Sequence, residues 1–123
     1  MAGEVNKKNT NSRNTIATGQ NRITRIRVDQ NLKQVFWSAQ FLNKIQKADA
    51  NFNGTNIVDV KTNITGVSTI AIDASNNRIY YHLNGGSEIL SCDTLGLNTS
   101  TVINFGSPIS ILGIQVVNNE LFW

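Results

Sequence analysis

One histidine and one cysteine, His82 and Cys92, bound what chemistry this chain can do. A metal triad or a Ser-His-Asp arrangement has too little to draw on. A lone cysteine allows neither an intrachain disulfide nor a cysteine-cluster site for zinc or iron–sulfur. No Gly-rich phosphate loop, Gly-x-Ser-x-Gly elbow or His-Glu-x-x-His pair occurs. Asn84-Gly85-Gly86 reads as a turn that needs positive φ. Asp29 and Asp73 stand at equivalent places in two similar segments, so they read as acceptors for turn amides rather than as acid–base catalysts. No catalytic residue, metal or cofactor is expected. His82 follows Tyr80-Tyr81 and reads as the start of a solvated loop. Phe41, in the loop Ser38 to Leu42, either tucks beneath that loop or stands exposed beside His82 and Asn84. Exposed, the three residues form a partner-contact patch.

What must position these residues is an internal repeat. Ile23 to Trp37, Val67 to Tyr81 and Ile109 to Trp123 align without gaps, at offsets of 44 and 42 residues. Each has an alternating apolar strand, a polar turn and a short strand closing on an aromatic pair. The pairs are Phe36-Trp37, Tyr80-Tyr81 and Phe122-Trp123. Their recurrence in every unit assigns them to packing between units rather than to a stacking platform for sugars or bases. Trp37, Tyr81 and Trp123 thus join Asp29 and Asp73 as structural repeat positions.

Two further short strands follow in each full unit. Asn43 to Asp49 and Thr55 to Val60 flank a turn at Asn51-Phe52-Asn53-Gly54 in the first, and Glu88 to Asp93 and Ser100 to Asn104 flank Leu95-Gly96 in the second. Asn-Gly is a strong hairpin signal because both residues tolerate positive φ. No helical periodicity competes. Four strands in each stretch of about 43 residues are the signature of a β-propeller blade, so the fold is all-β with blades of four antiparallel strands.

The residues that carry this pattern are Val28-Asp29, Phe36-Trp37, Lys44-Ile45, Asp49 and Phe52-Asn53-Gly54, then Ile72-Asp73, Tyr80-Tyr81, Glu88-Ile89, Asp93 and Leu95-Gly96. Over residues 22–123 they resemble the YWTD repeat of low-density-lipoprotein-receptor-type six-bladed propellers. The sequence departs from that repeat after the aromatic pair, where Ser38-Ala39 and His82-Leu83 replace Thr-Asp, and at Gln115, which replaces the strand-end Asp. Degenerate bacterial propellers fit the departures about as well. The resemblance implies a non-catalytic module that binds a protein or peptide through its loop face, the face on which His82 falls. The alternative is part of a propeller hydrolase or sugar-binding protein with an incomplete site. It also implies a place outside the cell or in its envelope, although Met1 to Gln20 holds no secretory signal.

The blades divide as 22–65, 66–107 and the first two strands of a further blade in 108–123. Residues 1–21 are a polar segment, either a disordered arm or the outer hairpin of a split blade running from Glu4-Val5 to Thr18 around a turn at Asn9 to Ser12. Twelve strands make three blades' worth, and a closed ring needs at least four. A half-ring either self-associates as a homodimer or is a fragment of a longer propeller. The break after Phe122-Trp123 reads as truncation.

Composition agrees with a single folded unit. With 123 residues, 40% hydrophobic and 15% charged, the chain holds core material for one domain and no apolar run long enough to span a membrane. Ten Lys and Arg against four acids in residues 1–61, then one against four, split the charge into roughly +6 and −3, which suits self-association as well as chance. Scattered cations argue against nucleic-acid binding. Eighteen asparagines make three sequons expected by accident, and compositional bias accounts for them.

Overall fold

A computed structural model describes residues 3–8, 13–20, 22–50 and 56–123. Among the described residues twelve strands run in chain order: β1 (Gly3–Lys8), β2 (Arg13–Gln20), β3 (Ile23–Asp29), β4 (Gln34–Ala39), β5 (Lys44–Asp49), β6 (Val58–Lys61), β7 (Val67–Asp73), β8 (Arg78–Leu83), β9 (Glu88–Asp93), β10 (Ser100–Asn104), β11 (Gln115–Val117) and β12 (Glu120–Phe122). They form two complete antiparallel sheets, β3-β4-β5-β6 and β7-β8-β9-β10, flanked by the pairs β1-β2 and β11-β12. These are propeller blades, two whole and two half. The residues expected to turn at Asn9 to Ser12 and at Asn51 to Gly54 lie outside the described set, as does Thr55; Asn56 and Ile57 are not strand, so β6 starts at Val58 rather than Thr55.

Left-handed backbone explains part of the asparagine content. Among the described non-glycine residues with positive φ, six are asparagine: Asn43, Asn63, Asn77, Asn98, Asn118 and Asn119. Asparagine reaches this region at lower cost than other residues because its short side chain can bond locally. Compositional bias is therefore not the whole cause. Lys33 (φ 52°), Asn77 (φ 52°) and Asn119 (φ 63°) occupy the same place in the three inner turns. The aspartates preceding these turns accept hydrogen bonds from turn amides. Asp29 Oδ1 accepts the amides of Asn31 and Leu32 at 2.9 and 3.0 Å, and Asp73 Oδ1 accepts that of Asn76 at 3.2 Å.

The core lies between the sheets. Alternation sends adjacent aromatics to opposite faces of one strand. Trp37 packs with Val5 of β1, Val35, Ala39 and Ala48. Phe36 packs on the other side with Ile64 and with Val67, Ile70, Ile79 and Tyr81 of the next blade. A third cluster joins Ala71 and Ile89 to Ile111 and Ile114, with Tyr80 against it. Polar ties reinforce the seam between the two whole blades: Lys47 Nζ donates to Thr94 O at 3.3 Å and Lys61 Nζ to Gly96 O at 3.2 Å. Gly96 is required there, since at φ +80° an added Cβ would lie 1.7 Å from the Val60 carbonyl oxygen.

One structural assignment needs correction. Trp37 and Tyr81 are buried, but Trp123 is 59% exposed and Phe122 is 52% exposed. No further sheet covers β12 among the described residues, and Trp123 makes an edge-to-face contact with Phe105, centroids 5.9 Å apart.

Candidate binding face

One end of the sheets gathers the β2–β3, β4–β5, β6–β7, β8–β9 and β10–β11 connections, and backbone hydrogen bonds stitch them together. Gln40 N–H donates to Arg22 O at 3.1 Å, Ile64 N–H to Asn43 O at 3.1 Å, Asn84 N–H to Gly66 O at 2.8 Å and Ile109 N–H to Gly86 O at 3.0 Å. Such bonding satisfies loop backbone that would otherwise need water and holds the loops in fixed relation.

Within this face a cleft of about 280 Å³ opens where the starts of β3 and β7 meet the segment that leads into β11. Arg22, Thr24, Arg25 and Gln40 come from the first whole blade, Ser68 and Asn84 from the second, and Ser110, Ile111 and Leu112 from the segment leading into β11. Thr24, Ser68 and Ser110 hold the same place in the repeat, so each unit contributes one hydroxyl. Thr24 Oγ1 lies 2.6 Å from Ser38 Oγ, and Ser68 Oγ donates to His82 O at 3.1 Å. The Arg25 guanidinium crosses to the Leu112 carbonyl and also donates to Thr24 O at 2.8 Å. Leu112 is 82% exposed on the rim.

Phe41 sits in a single turn of 3-10 helix, Gln40–Leu42, closed by Asn43 in the left-handed region (φ 54°). It is 64% exposed, and the Arg22 guanidinium lies 5.3 Å from its ring centroid. A cation over an aromatic face fixes both side chains at modest cost. Asn84 is exposed and lines the cleft.

His82 belongs elsewhere. It does not start a solvated loop: β8 continues through Leu83, and His82 is 1% exposed. Nδ1 lies 2.9 Å from Glu88 O and Nε2 3.2 Å from Ile109 O, so the ring bridges the β8–β9 connection to the segment entering the next half-blade. Its surroundings are those of a buried strut, with no surface to offer a ligand. Cys92 is also fully buried, and loss of solvation pushes its thiol up to about 11, which keeps it protonated and unreactive near neutrality.

Arg22, Arg25, Gln40 and Leu112 escaped sequence reasoning because they meet only when three blades curve together. The recurring hydroxyl at positions 24, 68 and 110 was a readable signal. It is hidden beside the apolar alternation that dominates the alignment.

Neither protein-family models nor curated proteins match the chain. Solved structures do. A chain from the crystal structure of a nidogen/laminin complex superposes with a TM-score of 0.68 at 16% identity. The match covers 76% of this chain and 36% of that one, so this chain spans about a third of the neighbour's length. At that identity the likeness is one of fold: the chain folds into blades of a β-propeller.

Proposed function

We propose that the chain is a non-catalytic interaction module whose loop-side cleft takes an acidic segment of a protein or peptide. The observation that carries this is a cleft lined by two arginines, Arg22 and Arg25, and the exposed Leu112 with no carboxylate, next to which the Arg22 guanidinium lies over the exposed Phe41 ring. Cations lining a groove favour a ligand of opposite sign and set its orientation, while exposed apolar side chains supply desolvation energy. The structural neighbour comes from a protein–protein complex, which is consistent with this use of the fold.

Hydrolysis or sugar binding would call for carboxylates converging on the cleft, and Asp29, Asp73 and Asp93 are instead engaged by turn amides. The two half-blades leave open faces, so the module works as a ring closed either by a second copy or by further blades.

A fluorescence-anisotropy titration with labelled peptides tests the cleft. Acidic peptides carrying an aliphatic or aromatic residue should bind, and basic ones should not. Arg22→Ala or Phe41→Ala should weaken binding about tenfold, the loss of roughly 1.4 kcal/mol typical of a contributing interface residue. Equal affinity for acidic and basic peptides, or indifference to both substitutions, would refute the assignment.

A further inference from the structure

We propose that Arg25 and Arg27 form a site for a phosphate dianion, set beside the inner strands and beyond the loop-side cleft. Both stand on one face of β3, two residues apart, which puts their Cα atoms about 6.6 Å from each other. Both reach past the second whole blade to the segment that leads into β11. The Arg25 guanidinium donates to Leu112 O, and Arg27 Nη2 donates to Ile114 O at 3.3 Å. Each is also held from its own strand, Arg25 by Thr24 O at 2.8 Å and Arg27 by Ile26 O at 3.1 Å. The guanidiniums are thus two fixed rungs over one cavity of about 370 Å³, whose lining includes Gly113, Ile114 and Gln115.

Nothing on this wall balances the two charges. All four of these hydrogen bonds go to neutral carbonyls, and no carboxylate lines the cavity among the described residues. Asp29, next on the same face of β3, instead turns Oδ1 onto the amides of Asn31 and Leu32. The ion pair among the described residues is Lys44–Asp59, on β5 and β6. Loss of solvation, and after it the charge of Arg25, hold Arg27 below the usual guanidinium range. Two cations kept close and partly desolvated favour an anion between them.

Gln115 supplies an independent sign. Asp29 and Asp73 end the inner strands of the two whole blades, and Gln115 takes that place in the third unit. The exchange withdraws a carboxylate from the cavity and leaves an amide that can donate to an oxygen. A guanidinium has five N–H donors, and the bonds above take two from each arginine, so donors remain for a ligand. A dianion matches two cations. A phosphate group also offers oxygens to both rungs and to the amide at once, where a carboxylate brings one charge and two oxygens.

The site does not depend on the acidic segment: Arg27 and Gln115 are outside the cleft's lining, although Arg25 belongs to both cavities. Isothermal titration calorimetry of the full chain with sodium phosphate, chloride holding ionic strength constant, tests it. One phosphate per chain is expected, with affinity lowered at least tenfold in Arg27→Gln. Gln115→Asp restores the residue of the other two units, so it keeps the fold, and its carboxylate should also lower affinity at least tenfold. Arg22→Ala should leave phosphate binding unchanged. A phosphoserine peptide beside its unphosphorylated form separates the sources. Arg27-dependent binding stronger than that of inorganic phosphate assigns the site to a phosphorylated partner, and weaker binding assigns it to free phosphate. Absence of saturable heat with phosphate, or binding indifferent to either Arg27→Gln or Gln115→Asp, overturns the proposal. Phosphate bound by a chain that ignores acidic peptides would refute the cleft and keep this site, and the reverse would refute this site alone.

Discussion

Residues of one type do different work according to which blade surrounds them, and the two tryptophans show it. Trp37 is fully buried with β1 laid over it, while Trp123 is 59% exposed at an uncovered face. Removing a buried aromatic ring leaves a cavity as well as forfeiting transfer energy, together about 3–5 kcal/mol. Removing an exposed one forfeits little. Urea unfolding of dilute protein should therefore show Trp37→Ala lowered by several kcal/mol and Trp123→Ala by less than about 1 kcal/mol. Equal losses would mean that the packing assignment of one of them is wrong. His82 carries a similar lesson. Sequence placed it next to Tyr81 but gave no sign that β8 runs on to Leu83, since a histidine flanked by tyrosine and leucine suits a strand end or a loop equally. Its two carbonyl partners, Glu88 and Ile109, are far enough along the chain that only the folded sheet brings them to the ring.

At the level of strands and turns, legibility followed periodicity. β3, β4, β7 and β8 were readable because apolar alternation and the aromatic pair recur in each unit. The cleft was not, because it draws Arg22, Gln40 and Asn84 singly and Ser110 to Leu112 together from four connections whose own sequences share no pattern. Acid sensitivity belongs to these elements too. Asp59 on β6 is held below its ordinary value of 3.8, chiefly by the hydrogen bond from Lys44 at 2.7 Å and also by one from Gln46 at 2.8 Å, which together bind the edge strand to β5. Asp93 is lowered first by the amide of Leu97, with Asn98 and Leu95 adding to it in the β9–β10 turn. A carboxylate depressed in the folded state adds stability above its unfolded value and loses it as pH falls through the folded one. Thermal melts should hence be flat from about pH 5 to 7 and drop below about pH 4. Asp59→Asn and Asp93→Asn should each flatten part of the drop, and both are exposed enough that each part is small. A melt whose acid limb is unchanged in the double variant would assign the limb to other groups.

For the molecule as a whole, stability is arranged along one dimension, since each blade touches only its neighbours. The central seam between the two whole blades holds Phe36, Ile70, Ile79 and Tyr81, all essentially inaccessible. The outer seams are thinner, and the two end faces carry Ile26, Val28, Phe122 and Trp123 in the open. Local opening is cheapest where few apolar contacts must break, so amide protection should grade along the chain rather than be uniform. Hydrogen exchange on dilute protein should give slowest amides in β4, β5, β7 and β8 and fastest in β1 and β12. Equal protection across all the strands would mean that the blades open as one cooperative unit and that the seams do not differ in strength.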